Sequence, residues 1–261
     1  MTRRILLLRS GSAEPKDAAP APDVTVLYTH AVMPRPEGVA EALAFDAAGA
    51  TLVVSSKETV RVFSAREDWL PLLRAPFAQM LAVGEGTGDL LRKVNTGERF
   101  DDTSGGASTY SGACETQIVV PTIPGAAGVI HFLGRSPAPL PARILWPRGS
   151  DAAVGPLEEI RALGVSLCAP VVYEKRPLSS SELDPSVLAD FRAGLFSAVA
   201  VGSTAGLDAL LAAAPAPPHV RWGVLGPETA KSVAARGLPA PLIPANARLA
   251  DLLELLRKEI R

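Results

Sequence analysis

The chain alternates short apolar runs of strand length with stretches in which apolar residues return every three or four positions. Strand-type runs fall at 5–8, 24–28, 51–54, 118–120, 144–146, 198–201 and 222–225, with a last short one at 242–243. Helical patterning is expected over 39–48, at Val60 and Phe63, and over 156–163, where Gly164 ends it. Leu207, Leu210, Leu211 and Ala214 fall at i, i+3, i+4 and i+7 of an amphipathic helix. The segment 125–134 is compatible with a helix. Asn246 is placed to cap a final helix whose stripe is Leu249, Leu252, Leu253, Leu256 and Ile260. Strands alternating with helices predict an α/β fold, its parallel sheets covered by helices.

Two stretches repeat one design. Trp222 to Gly237 reads WGVLGPETAKSVAARG: an apolar strand, a turn at Gly226, Pro227 at the first helical position and Gly237 just past the last. Thr229 lies in that helix's first turn. Met80 to Lys93, MLAVGEGTGDLLRK, has Gly84 and Thr87 in the corresponding places. Strand, tight turn and helix gather backbone N–H groups into a pocket that favours an anion. Ser56 precedes Thr87 by 31 positions and Ser203 precedes Thr229 by 26, so each half carries a hydroxyl turn and then a glycine–threonine turn. In open α/β sheets such turns lie at the carboxyl ends of strands, where ligands bind. Two such domains facing each other would set four of these turns around one cleft.

Composition narrows the partners. At 261 residues the chain has room for two domains with buried cores, and 48% hydrophobic with 20% charged residues is ordinary for a globular protein. A net charge of -1 gives no global case for nucleic acid or an anionic membrane. Cys114 and Cys168 supply neither a CxxC site nor a disulfide framework and read as reduced thiols. Four apolar residues before Arg9 are too few for a secretory segment, and no run reaches membrane-spanning length, so a cytoplasmic location is expected. Residues 10–23 read as a proline- and alanine-rich loop, 33–38 as an extended connector, and 95–115 as a polar surface insertion.

In order along the chain, these pieces resemble uroporphyrinogen-III synthases. The opening strand to Arg9, then VVSSKETV at 53–60, AVGEGT at 82–87, ILWPRG at 144–149, LGV at 163–165 and VYE at 172–174 each match a family element. AVGS at 200–203 and LGPET at 225–229 complete the set. Departures are Ser10, where the family commonly has proline, and the proline-rich 10–23, where it usually has a helix. The resemblance implies two flavodoxin-like, Rossmann-like parallel-sheet domains on a two-stranded connector. One domain would be discontinuous, 1–34 with 174–261; the other, 37–170, would be inserted, with connectors near 34–37 and 170–174.

It also implies a cyclising hydro-lyase acting as a monomer on one small molecule, the linear tetrapyrrole hydroxymethylbilane, without metal or other cofactor. That chemistry inverts the last pyrrole ring and releases a hydroxyl group as water. It needs a site that folds a polycarboxylate chain and offers one proton donor. The sequence has no GxSxG elbow and no zinc-spaced histidine set, and VGEGTG lacks the GxGxxG spacing of a nucleotide loop. Tyr173 is the candidate proton donor or orienting group, with a tyrosine packed at a hinge as the plain alternative. Ser56 and Ser203 end strands and are placed to reach ligand. Thr87 and Thr229 either bind substrate or cap their own helices; Gly84 and Gly226 open the anion turns; Arg9 pairs with a carboxylate or is solvated, as is Arg148. His30, His131 and His219 read as structural, and Arg257-Lys258 as a complement to the last helix's dipole. Two rival readings stay open: a non-catalytic ligand-binding or regulatory module with the same fold, and a nucleotide-sugar glycosyltransferase.

Overall fold

The computed structural model describes residues 4–10, 21–96, 116–123, 125–135, 140–246 and 248–260. The first half of the chain gives β1 (Arg4–Ser10), β2 (Val24–Pro34), α1 (Pro36–Leu43), β3 (Thr51–Val54), α2 (Lys57–Ser64), a 3₁₀ turn (Leu70–Arg74), β4 (Gln79–Ala82), α3 (Glu85–Asn95), β5 (Gln117–Val119) and α4 (Ala126–Arg135). The second half gives β6 (Arg143–Leu145), β7 (Arg148–Gly149), α5 (Gly155–Ala162), β8 (Ser166–Cys168), β9 (Val171–Pro177), α6 (Pro185–Arg192), β10 (Phe196–Val201), α7 (Thr204–Ala213), β11 (Arg221–Val224), α8 (Pro227–Ala235) and α9 (Leu249–Glu259). They form two compact units, Met1–Val32 with Lys175–Arg261, and Met33–Glu174. The chain passes from one to the other within β2 and again within β9.

In the first unit the strand order is β11-β10-β1-β2, all parallel. Leu6 stands level with Val199 and Thr25, and Leu8 with Val201 and Leu27. Ile5 to Leu8 of β1 are apolar without interruption because both of the strand's faces are covered. Leu6 and Leu8 pack with Phe191, Phe196 and Trp222, while Ile5 and Leu7 pack with Leu252, Leu253 and Leu256 of α9. The expected strand at 242–243 is an isolated bridge beside β11: Leu242 N–H donates to Trp222 O at 2.8 Å, and Val224 N–H to Leu242 O at 2.9 Å.

The second unit holds a five-stranded parallel sheet in the order β5-β4-β3-β6-β8. Leu52 sits between Met80 and Leu145. One cluster packs Val53, Leu81 and Ile144 against Val129 of α4 and Leu157 and Ile160 of α5. The two-residue β7 pairs with the start of β9, Gly149 opposite Tyr173, and Ser150 N–H donates to Tyr173 O at 2.9 Å. α1 lies so close to β9 that a Cβ at Gly38 would meet Val171 O at 1.9 Å.

Several local expectations change. Pro36 occupies the first turn of α1, so the extended connector read at 33–38 gives way to a helix at its second proline. α1 ends at Leu43 rather than at 48, and Gly49 turns the chain at φ 69°. Asn246 does not cap the last helix with its side chain; Arg248 is the N-cap, without a side-chain bond, and donates its own N–H to Asn246 O at 2.7 Å. α6 has no counterpart among the expected elements, although Asp184 before Pro185 announces it by accepting from the N–H groups of Ser186 and Val187. Gly164 and Gly237, at φ 81° and 68°, close α5 and α8 as read. Most of the loop read at 10–23 and nearly all of the insertion read at 95–115 lie outside the described residues.

Candidate functional site

The sequence repeat is a structural repeat. In the second unit β3 runs into α2 through Ser56, an extended N-cap at φ -152°, ψ 155°, whose Oγ accepts from Thr59 N–H at 3.2 Å. In the first unit β10 runs into α7 through Ser203, at φ -155°, ψ 152°, whose Oγ accepts from Gly206 N–H at 3.2 Å. The neighbouring strands repeat this with glycine. Gly84 caps α3 at φ -170°, ψ 159°, and Gly226 caps α8 at φ -162°, ψ 170°, neither with a side-chain bond. A serine cap adds a side-chain acceptor for a first-turn N–H, whereas a glycine cap has none to add; at Gly84 the Thr87 N–H turns back to Gly84 O at 3.0 Å. Thr87 and Thr229 each stand three residues beyond their glycine; Thr87 is buried and Thr229 half-buried.

Tyr173 comes to this site from β9. Its side chain is buried, 3% exposed, and its Oη lies 2.9 Å from Ser56 Oγ. Ser56 Oγ is also 3.2 Å from Thr59 Oγ1, and Thr59 is fully buried. Two residues chosen separately from the sequence thus form one hydrogen-bonded pair at the N-terminus of α2. Gly84 and Thr87 belong to the same unit, on the next turn along the sheet. Lys57, which the sequence reading passed over, belongs with them. A Cβ at Gly86 would lie 2.9 Å from Lys57 Nζ, so the ammonium sits over the first turn of α3. A lysine directly after a hydroxyl turn, at the first position of a helix, was the available signal.

Arg9, Ser203, Gly226 and Thr229 belong to the other unit. Arg9 is half-buried near the end of β1, and its carbonyl accepts from Thr29 Oγ1 at 3.2 Å. Thr29 is also 3.0 Å from His30 Nδ1, and both are buried. A Cβ at Gly206 would lie 3.1 Å from Thr29 Oγ1 and 3.3 Å from Ser203 Oγ. The C-terminal ends of β1 and β10 and the middle of β2 therefore gather a small polar cluster around Ser203. Thr204 Oγ1 donates to Ser232 Oγ at 3.0 Å, tying α7 to α8. Arg148 is half-buried, and its Nε is buried without a partner among the described residues.

A cavity of about 500 Å³ opens in the second unit beside Arg35, Glu41, Arg161 and Cys168, lined by none of the candidate residues. Cys168 Sγ lies 3.5 Å from Glu41 Oε1, and burial, then the carboxylate, push its thiol up to about 11. Among the described residues no three His, Cys, Asp or Glu side chains gather as metal ligands. Among them, too, no helix is long and apolar enough to cross a membrane.

A family model described as "Uroporphyrinogen-III synthase HemD" matches residues 24–254. No curated protein matches the chain in sequence. Among solved structures, the uroporphyrinogen-III synthetase of Helicobacter pylori 26695 superposes with a TM-score of 0.57 at 18% identity, over 99% of this chain and 100% of that one. A mutant uroporphyrinogen III synthase of the extremely thermophilic bacterium Thermus thermophilus gives 0.49 at 13% identity, over 98% of each chain. The first of these likenesses places the two α/β units in a shared two-domain fold.

Proposed function

The chain belongs to the uroporphyrinogen-III synthase family, and from that premise we propose how its own residues serve the reaction. It is a cyclising enzyme of tetrapyrrole biosynthesis, closing hydroxymethylbilane with inversion of the last ring and loss of water. The substrate's carboxylates sit on the open first turns at Gly84 with Thr87 and at Gly226 with Thr229, and against Ser203 and Arg9. Each such turn offers backbone N–H groups not capped by a side chain and the positive end of a helix dipole. The enzyme works as a cytoplasmic monomer on this one small molecule, with no nucleic acid, membrane, metal or other cofactor.

Tyr173 gives the proton. The leaving group is a hydroxyl on a carbon attached to an electron-rich pyrrole, whose nitrogen pair pushes it off. Protonation by a phenol completes the departure of water. The observation that carries this assignment is the 2.9 Å approach of Tyr173 Oη to Ser56 Oγ at the N-terminus of α2. A phenolate formed there meets a hydrogen-bond donor and the positive end of a helix. General acid catalysis of this kind contributes about 10²–10⁴-fold.

The test supplies purified protein with enzymatically generated hydroxymethylbilane, then oxidises and separates the product isomers. The inverted type III ring at a catalysed rate is expected; only the type I ring at the spontaneous rate would sink the reading. Tyr173→Phe is expected to lower kcat about 10²-fold with product affinity kept. Full turnover by that variant would leave Tyr173 as a packing residue only.

A further inference from the structure

We infer that Ser56 is a positioning residue for the Tyr173 phenol rather than a contact to substrate; this rests on the proton-donor reading of Tyr173 above. A serine hydroxyl has one proton to donate and two lone pairs to accept with. All three are engaged within the protein. Thr59 N–H at 3.2 Å takes one lone pair, and Thr59 Oγ1 at 3.2 Å and Tyr173 Oη at 2.9 Å take the other two positions. A substrate carboxylate is acceptor-only, so Ser56 can meet one only by withdrawing its proton from this network.

The reaction sets the direction of the chain. As the substrate's C–O bond breaks, its electron pair stays with the departing oxygen, the phenol proton goes to that oxygen, and water leaves. Tyr173 becomes a phenolate, and the substrate carbon is left as an azafulvenium cation sharing the pyrrole nitrogen's electrons. The phenolate can only accept, so Ser56 O–H must then point at Tyr173 Oη, with Thr59 Oγ1–H donating to Ser56. When ring closure restores the pyrrole, the proton it sheds returns to the phenolate. Ser56 itself neither gains nor loses a proton overall. Its Oγ cannot drift, because the same atom caps α2, and this fixes where the phenol oxygen stands. Ser203 caps α7 in nearly the same conformation, and no tyrosine hydroxyl is bonded to its Oγ among the described residues.

The test compares wild type, Ser56→Gly, Ser56→Thr, Tyr173→Phe and the Ser56→Gly/Tyr173→Phe double variant. Glycine keeps a workable N-cap without the hydroxyl, so the variant folds; threonine restores a hydroxyl at the same place. Ser56→Gly is expected to lower kcat about tenfold with KM within twofold, Ser56→Thr to recover most of it, and Ser56→Gly to add nothing in the Tyr173→Phe background. A raised KM with kcat intact, or an equal loss in both backgrounds, overturns the inference. A second readout needs no turnover. The Raman Fermi doublet of Tyr173, isolated by subtracting the Tyr173→Phe spectrum, reports whether the phenol oxygen accepts a hydrogen bond. It is expected to shift in Ser56→Gly and return in Ser56→Thr, and an unchanged doublet overturns the inference. If wild type yields only the type I isomer, the proton-donor reading fails separately, and the doublet alone decides the Ser56–Tyr173 contact.

Discussion

Gly149 leaves no room for a side chain against Tyr173: a Cβ at position 149 would lie 2.7 Å from both Cε2 and Cζ of the phenol ring. The same Cβ would also meet Asp151 Oδ1 at 2.7 Å, so the phenol ring has to yield along with that carboxylate. Gly149→Ala is therefore expected to displace the phenol from Ser56 and to cost about 1–3 kcal/mol of stability by overpacking. Urea denaturation measures the second effect and turnover on hydroxymethylbilane the first. A folded Gly149→Ala enzyme with full turnover would show that the ring's placement is not needed.

How legible this arrangement was in the sequence depends on the distance over which each part is determined. β1, β3, β10 and β11 were readable because strands covered on both faces are continuous apolar runs, and Gly164 and Gly237 were readable because a left-handed helix stop favours glycine. Ser56 and Tyr173 were each legible as candidates, but not as a pair. They are 117 positions apart, and their contact depends on the register of β9 against β7, a strand of two residues with no pattern of its own. Asn246 was misread as a cap for a related reason: a capping side chain needs the backbone turn beneath it, and that turn falls at Arg248. Arg257 looked like a dipole complement, whereas its guanidinium reaches Asp23, which no local pattern encodes.

Cys168 is expected to resist thiol reagents. With its thiol pushed up to about 11, roughly 0.1% is thiolate at about pH 8, against about 20% for an ordinary cysteine. In a Cys114→Ser background, iodoacetamide labelling is expected to run about a hundredfold slower than for a model thiol. Glu41→Gln removes the carboxylate that receives the S–H and is expected to speed labelling only in part, because burial is the larger cause. Labelling at the model rate would remove the argument.

The Asp23–Arg257 pair makes part of the stability depend on pH. Arg257 Nε and a terminal nitrogen donate to the two Asp23 oxygens at 2.7 and 2.8 Å, tying α9 to the start of β2. That bond holds the Asp23 carboxyl below its ordinary value. A depressed carboxylate contributes stability that is present above the unfolded value, about pH 4, and is lost as pH falls through the folded one. The urea midpoint of the wild type is therefore expected to fall more steeply from about pH 5 to about pH 3 than that of Asp23→Asn. Parallel curves would assign the acid sensitivity to other groups. Both side chains are about one-third exposed, so added salt is expected to shrink the difference.

Ser56 and Ser203 offer the sharpest comparison, since their caps are nearly superposable in backbone angles and differ in what else the hydroxyl touches. Replacing either by alanine removes one side-chain acceptor from a helix N-terminus, which costs about 1 kcal/mol. On melting, Ser203→Ala is expected to lose about that much, and Ser56→Ala more, because it also takes a partner from the buried Thr59 and Tyr173 hydroxyls. Activity is expected to divide the two. Ser203→Ala removes a group assigned to binding and should raise KM with kcat nearly kept. Ser56→Ala removes the Ser56 hydroxyl from the phenol and should lower kcat with KM nearly kept. If both variants raise KM alike, the two turns are equivalent binding turns, and Tyr173 owes nothing to Ser56. If both lower kcat alike, the loss follows from frayed helix termini, because that is the only structural change the two substitutions share.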